Sequence, residues 1–397
     1  MNGGTAPGLW LRLTALVAAG GTLLAVVSGA SQLGTTHRLL AALVAPPLAA
    51  LVVTAWLAHR RLVPGALAAS ALFAAAAALP GSDVHAGFAA AALAALLVVA
   101  VQSFRGEAAP RGSLRDYVTL TKPRIMSLLL VTGFAGMIAG ARGWPGTGLA
   151  VAAMLGLALA CGGASALNHL LDRDIDPLMG KRTKARPVAS GRVPPSRALE
   201  FGLALSAFSF VLLASAVNVL AAVLALAGNL FYVVVYTRFL KRSTPQNIVI
   251  GGAAGAVPPL VGWAAATGHV GVAALLLFAI VFVWTPPHFW ALALLIRDAY
   301  AAARVPMLPV VKGERETARQ IVLYSLALVA VTLTPWAWGG AGLVYVACAL
   351  GLGAVFLWLA ELLRRDTTPR RAMLLFHYSL LYLALLFAAL ALDAVVL

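Results

Sequence analysis

Thirteen apolar stretches, each of roughly 17 to 25 residues, follow one another along a chain of 397 residues, and that succession leaves few folds open. Each is long enough to cross the hydrocarbon core as a helix, the one open-ended structure that satisfies its own backbone N–H and C=O groups there. Hydrophobic residues make up 62% of the chain and charged residues 11%, more apolar surface than one water-soluble core could hide. The expected class is therefore all-α, a polytopic membrane protein of about 13 transmembrane helices.

The polar stretch FRGEAAPRGSLRDYVTLTKP, residues 104–123, interrupts the apolar pattern with Gly, Pro and mixed charge. It predicts a four-helix transmembrane bundle over 1–104, a linker over 105–115 and a nine-helix unit over 116–397. With the amino terminus cytoplasmic, the basic residues fall on inner loops, leaving Arg38 and Arg142 outside, as the positive-inside rule demands. An odd number of spans then leaves the carboxyl terminus outside. A net charge of +16 confined to short loops points to anionic headgroups and phosphorylated substrates, and away from nucleic acid. Cys161 and Cys348 both lie inside apolar spans, so no disulfide framework is indicated. The first apolar run reads as a span, being too long for a secretory signal.

The chain has 13 Asp plus Glu, yet Asp172, Asp174 and Asp176 crowd into NHLLDRDIDPLMGKRTKARPVASGRV, residues 168–193. If the preceding helix runs on to Pro177, Asn168, Asp172 and Asp176 recur at i, i+4 and i+8 and share a face, while Asp174 points elsewhere. Stacked carboxylates repel unless a cation lies between them, and an oxygen-only set suits Mg²⁺, which prefers to share its shell with substrate phosphates. Lys181, Arg182, Lys184 and Arg186 follow at once. The stretch thus reads as a metal and diphosphate site at a membrane face, against the alternative of a polar loop marking a cytoplasmic boundary.

Three further inner approaches carry chemistry. LTKPRIMSLLL places Lys122 and Arg124 around Pro123, where a helix leaves the interface; headgroup anchoring and diphosphate holding both suit them. YTRFLKRSTPQNIVIGGAAGAVPPLVGWAA brings Arg238, Lys241 and Arg242 before a span rich in glycine. WTPPHFWALAL sets His288 between Trp284 and Trp290 inside a span, either as a hydrogen-bonded structural histidine or as an iron or porphyrin contact.

With PMLPVV and the closing FHYSLLYLALLFAALALD, these motifs in this order resemble the protohaem IX farnesyltransferase (haem O synthase) family of intramembrane aromatic prenyltransferases, over about residues 114–397. The resemblance implies transfer of a farnesyl group from farnesyl diphosphate to a vinyl carbon of haem b in a bacterial cytoplasmic membrane, with the active-site loops facing the cytoplasm. It implies Mg²⁺ held by Asn168, Asp172 and Asp176 with Asp298 opposite, and a diphosphate clamp of Lys181, Arg182, Arg186, Lys241, Arg242 and Arg124. His288, Trp284 and Trp290 become haem contacts. One departure stands out: the family's second acidic patch carries adjacent aspartates, whereas Asp298 is followed here by Ala299.

Residues 1–104 lie outside that resemblance. His37 and His85 fall at one depth of the expected four-helix bundle, where two histidines could hold a second haem b from opposite faces. The segments THRLLAALV and DVHAGFAAA are similar to half of a haem A synthase, which implies a haem site or docking of that enzyme; a purely structural bundle is the alternative. For the whole chain, the competing functions are prenyl transfer to a quinone precursor, a transporter, and haem delivery without catalysis. The scarcity of acids within spans argues against the transporter.

Overall fold

A computed structural model describes residues 6–30, 34–78, 83–103 and 112–396, and every regular element among them is helical. Helices α1 (Ala6–Ala30), α2 (Gly34–Ala58), α3 (Val63–Ala78) and α4 (Asp83–Ser103) come first. A short α5 (Leu114–Leu120) leads into α6 (Pro123–Ala141) and α7 (Thr147–Leu171), and a one-turn α8 (Lys181–Lys184) precedes α9 (Pro195–Ala216). Next, α10 (Val219–Leu230) runs through a π-helical segment, Phe231–Leu240, into α11 (Lys241–Ser243). The chain continues as α12 (Asn247–Thr267), α13 (Val272–Leu295), the short α14 (Arg297–Ala302) and α15 (Leu308–Val311), α16 (Gly313–Thr332), α17 (Thr334–Ala337), α18 (Leu343–Arg365) and α19 (Pro369–Val396).

Among the described residues eleven helices are long and apolar enough to cross a membrane, and the two other expected spans coincide with α1 and α4. Large apolar side chains such as Trp56, Leu67, Val151, Leu155 and Trp358 are exposed on the outer faces, where lipid is the natural solvent.

Helices α1–α4 enclose a core of Leu11, Leu51, Leu96 and many alanines, which Ala207 and Val211 of α9 complete. Division of the chain after residue 104 therefore remains a proposal. Of the expected linker, residues 105–111 lie outside the described residues, and the rest is structured: Ser113 and Asp116 form a reciprocal capping box that starts α5. Arg192 also binds Asp116 at 2.8 Å, which ties α5 to the loop after α8.

A close helix crossing joins α6 to α12. A Cβ on Gly262 would strike the Gly133 carbonyl oxygen, and one on Gly136 would lie 2.6 Å from the Pro259 oxygen. Backbone meets backbone there, so neither partner can rotate aside. Gly262→Ala is expected to lower stability by about 2 kcal/mol or more, measured by unfolding in detergent. Gly351→Ala, at a helix position open on all sides, should stay level or gain up to about 1 kcal/mol through helix propensity.

Candidate active site

The acid stretch departs from the expected continuous helix. Helix α7 ends at Leu171 and a turn follows, with Asp176–Met179 as a 3₁₀ segment. The i+4 relation nonetheless persists, because the Asp172 N–H donates to the Asn168 carbonyl and the Asp176 N–H to the Asp172 carbonyl, each at 2.9 Å. Asp172 and Asp176 are consequently both buried. Asp174 turns outward, where Arg242 grips its two oxygens at 2.6 and 2.7 Å and holds its carboxyl down at about 2. That half-exposed pair is worth at most about 1 kcal/mol.

Three cations close on the buried residues. Lys241 donates to Asp172 Oδ2 at 2.6 Å, Arg186 to Asp176 Oδ1 at 2.6 Å, and Lys122 to Asn168 Oδ1 at 2.7 Å. Asn168 Nδ2 in turn donates to Asp172 Oδ2 and to Thr237 Oγ1. Burial pushes the Asp176 carboxyl up, against the pull of Arg186. Burial likewise draws the Lys122 ammonium down to about 7, an effect that Arg186 reinforces and Asp172 opposes.

Local geometry explains how these side chains arrive. Lys122 precedes a proline, which disfavours the right-handed helical conformation, and it adopts the left-handed one at φ 50°, ψ 59°. The turn between α5 and α6 thereby sends its side chain inward. Ser165 of α7 donates to the Leu120 carbonyl at 2.6 Å and pins the end of α5.

Tyr232, Thr237 and Lys241 meet the site through the π-helical segment. At 3.6 residues per turn, Tyr232 and Lys241 would lie on opposite sides of a helix. The wider π turn brings both onto one face. Thr237 Oγ1 donates back five residues to the Tyr232 carbonyl at 2.9 Å, and Tyr232 and Tyr236 stack with centroids 5.5 Å apart.

Those two tyrosines line a cavity of about 310 Å³ whose walls include Lys122, Leu129, Asn229, Gly251, Gly255, Trp284 and Phe289. Gly251 is required beside it, because a Cβ there would collide with the Tyr236 ring. Lys122 belongs both to this apolar cavity and to the acid cluster, so the two spaces adjoin.

Asp172 Oδ1 and Asp176 Oδ2 are buried without a hydrogen-bond partner. Orphaned carboxylate oxygens are costly unless a cation takes them. Among the described residues no three His, Cys, Asp or Glu side chains form a metal cage. Two carboxylates that need phosphate oxygens to complete the shell suit Mg²⁺. Asn168 turns its carbonyl oxygen to Lys122, so it orients Asp172 where the sequence suggested a direct ligand.

Other expected residues sit elsewhere. Arg124, Lys181, Arg182 and Asp298 are all exposed. Instead Tyr300 is buried near it, its phenol pushed up by burial with Arg186 and Asp172 as charged neighbours. His288 stacks on Trp284 at 4.2 Å and on Phe376 at 4.9 Å, and its Nδ1 is 2.6 Å from Ser379 Oγ. Both ring faces are thus covered. Trp284 lines the cavity, whereas Trp290 packs edge-on against Tyr324. His169, buried beside Asn168, has neither ring nitrogen hydrogen-bonded.

Because Asp172 and Lys241 are both buried, removing one strands the other, at a cost of about 3–5 kcal/mol. Asp172→Asn and Lys241→Met should each destabilise the protein, and the double variant should recover at least about 2 kcal/mol of the summed loss. Chemical unfolding of the four proteins in detergent reads the coupling; additive losses would show that the pair does not act as a unit.

Residues 129–391 match the UbiA prenyltransferase family. A protein named protoheme IX farnesyltransferase 1 from Pseudomonas fluorescens is 53% identical over 289 residues, covering 72% of this chain and 96% of that protein. One named protoheme IX farnesyltransferase from Symbiobacterium thermophilum is 53% identical over 283 residues, covering 70% and 94%. A relative of the same name from Thermus thermophilus is 52% identical over 295 residues, which make up 73% of this chain and 48% of that longer protein. Among solved structures, a digeranylgeranylglyceryl phosphate synthase superposes with a TM-score of 0.61 at 17% identity, covering 72% of this chain and 99% of that one. A UbiA homologue from Archaeoglobus fulgidus bound to DMAPP and Mg²⁺ gives 0.56 at 17% identity, covering 71% and 99%. The chain belongs to the UbiA prenyltransferase family of integral membrane proteins.

Proposed function

We propose that the protein transfers the farnesyl group of farnesyl diphosphate to a vinyl carbon of haem b, with Asp172 and Asp176 holding Mg²⁺. The observation that carries this reading is the junction at Lys122, where an apolar cavity meets two carboxylates with unpartnered oxygens. Names of the bacterial relatives support haem as acceptor, and the Archaeoglobus complex supports a prenyl diphosphate with Mg²⁺.

Bound at Asp172 Oδ1 and Asp176 Oδ2, Mg²⁺ would act as a Lewis acid on the diphosphate oxygens. Lys122 faces those oxygens from the cavity side and stabilises the charge that grows as the C1–O bond breaks. Lys241 and Arg186 keep the two carboxylates aimed. The faces of Tyr232, Tyr236 and Trp284 offer π density to the allylic cation, and the apolar walls keep water from it until the new carbon–carbon bond forms. Water then adds to the resulting cation on the haem side chain and releases a proton, leaving a hydroxyethylfarnesyl group. The basic loops support a cytoplasmic position for this end of the bundle.

Purified protein in lipid, given haem b, farnesyl diphosphate and Mg²⁺, should yield a haem heavier by one farnesyl group and one water in mass spectrometry of extracted haems. Asp172→Asn and removal of Mg²⁺ with a chelator should each cut the rate by roughly 100-fold or more. Lys122→Gln should cost about 10-fold or more, whereas Arg124→Gln and Asp298→Ala should stay within about 2-fold, since both side chains are exposed. An unmodified haem beside a prenylated quinone precursor would overturn the assignment of the acceptor.

A further inference from the structure

We infer that the apolar cavity measures the prenyl tail, with Leu157 as its floor and Gly255 leaving the room that the last isoprene unit fills. The inference rests on the prenyl transfer proposed above and adds the residues that set the length of the donor.

The wall residues of three helices give the cavity its long axis. On α6 the wall runs from Lys122, at the helix start, to Leu129; on α7 it runs from Ser165 back to Leu157, and on α12 from Ile248 to Pro258. Helices α6 and α12 leave the acid-cluster end of the bundle and α7 returns to it, so Leu129, Leu157 and Pro258 share the far end. At a rise of 1.5 Å per residue these stretches span roughly 10, 12 and 15 Å. The cavity is therefore a slot with its mouth at Lys122, where the diphosphate would sit. An isoprene unit adds four carbons to the main chain of a tail, which in a zigzag of bonds of about 1.5 Å is about 5 Å of length. Three units need about 15 Å and reach the floor, whereas four need about 20 Å and overrun it.

Packing beyond the slot closes it. Leu157 is buried in one core with Met137 and Val261, which lie further along α6 and α12 than any wall residue. Its side chain also bears on α6, since a Cβ on Gly133 would lie 2.6 Å from Leu157 Cδ2. Removing that side chain opens the floor into the space between α6 and α7.

The glycines of α12 that line the wall differ in what they allow. A Cβ on Gly251 would collide with the Tyr236 ring and one on Gly252 would lie 3.0 Å from Thr285 Cβ, whereas one on Gly255 would meet nothing within 4 Å. Gly255 lies roughly 10 Å along α12 from Ile248, the depth at which a third isoprene unit begins. A large side chain at this position grows into the slot without displacing a neighbour and shortens the tail that fits.

The full chain in lipid nanodiscs, with haem b and Mg²⁺, is offered equal amounts of geranyl, farnesyl and geranylgeranyl diphosphate, and the haem products are resolved by mass spectrometry. Wild type should favour farnesyl. Gly255→Leu should shift the geranyl-to-farnesyl product ratio by roughly 10-fold or more towards geranyl, and Leu157→Ala should raise the geranylgeranyl-to-farnesyl ratio by a similar factor. Thermal stabilisation of each variant by the three diphosphates with Mg²⁺ should follow the same order; it needs no acceptor and shows that the variant is folded. A wild type that makes no prenylated haem but ranks the diphosphates in this order would remove the haem assignment and leave the ruler standing. If Gly255→Leu does not fold, Leu157→Ala decides alone. The wild-type order of donors in either folded variant, in products or in stabilisation, would overturn the inference.

Discussion

The contact on which the rest of the site depends is the buried pair between Lys241 and Asp172. Its geometry splits the carboxylate in two: Oδ2 is taken by Lys241 and Asn168, and Oδ1 is left without a partner. Desolvating both charges is expensive, and their attraction offsets that cost only when hydrogen bonds fix the arrangement. Asn168, itself held by Lys122 and Thr237, supplies that fixing. Arg186 divides Asp176 in the same way, again leaving one oxygen orphaned. The charged network is thus a device for presenting two carboxylate oxygens in a fixed direction, and its yield is orientation more than stability.

Four separate pieces of backbone must converge for this to work. The end of α7 brings Asn168 and Asp172, the turn after it Asp176, the α5–α6 turn Lys122, and the π-helical segment with the α11 that continues it Thr237 and Lys241. Two of these pieces use uncommon conformations: a left-handed non-glycine residue at Lys122 and a ten-residue π helix. Departures of this kind persist where surrounding contacts over-determine them, and both occur at the boundary between the acid cluster and the apolar cavity.

Much of this was legible in the residues. Apolar run length marks helices because the bilayer leaves no other way to satisfy the backbone, so the succession of spans and the place of the acid-rich stretch were readable directly. Side-chain direction was less so. Arg124 and Lys122 flank the same proline, and composition cannot tell which one turns inward; the left-handed backbone at Lys122 decides it. Thr237 sits in an apolar run with no local mark, since its position depends on a helix type that 3.6-residue periodicity does not anticipate. His288 was readable as a functional or a structural histidine; what the residues did not foretell is that Trp284 and Phe376 stack on its ring and Ser379 Oγ lies at its Nδ1.

Helix α9 connects the two halves physically. On one side it meets α7 so closely that a Cβ on Gly163 would lie 2.8 Å from the Gly202 carbonyl oxygen, and Ser209 donates to the Gly156 carbonyl at 2.7 Å. On the other side Ala207 and Val211 complete the core of the first four helices. The same helix thus abuts α7, which ends in Asn168 and Asp172, and packs against α4, which begins beside His85. Dense packing transmits displacement, because neither the glycine contact nor the small-residue core has slack to absorb it. The amino-terminal bundle thus packs on the same helix that packs on α7, with small residues at both contacts.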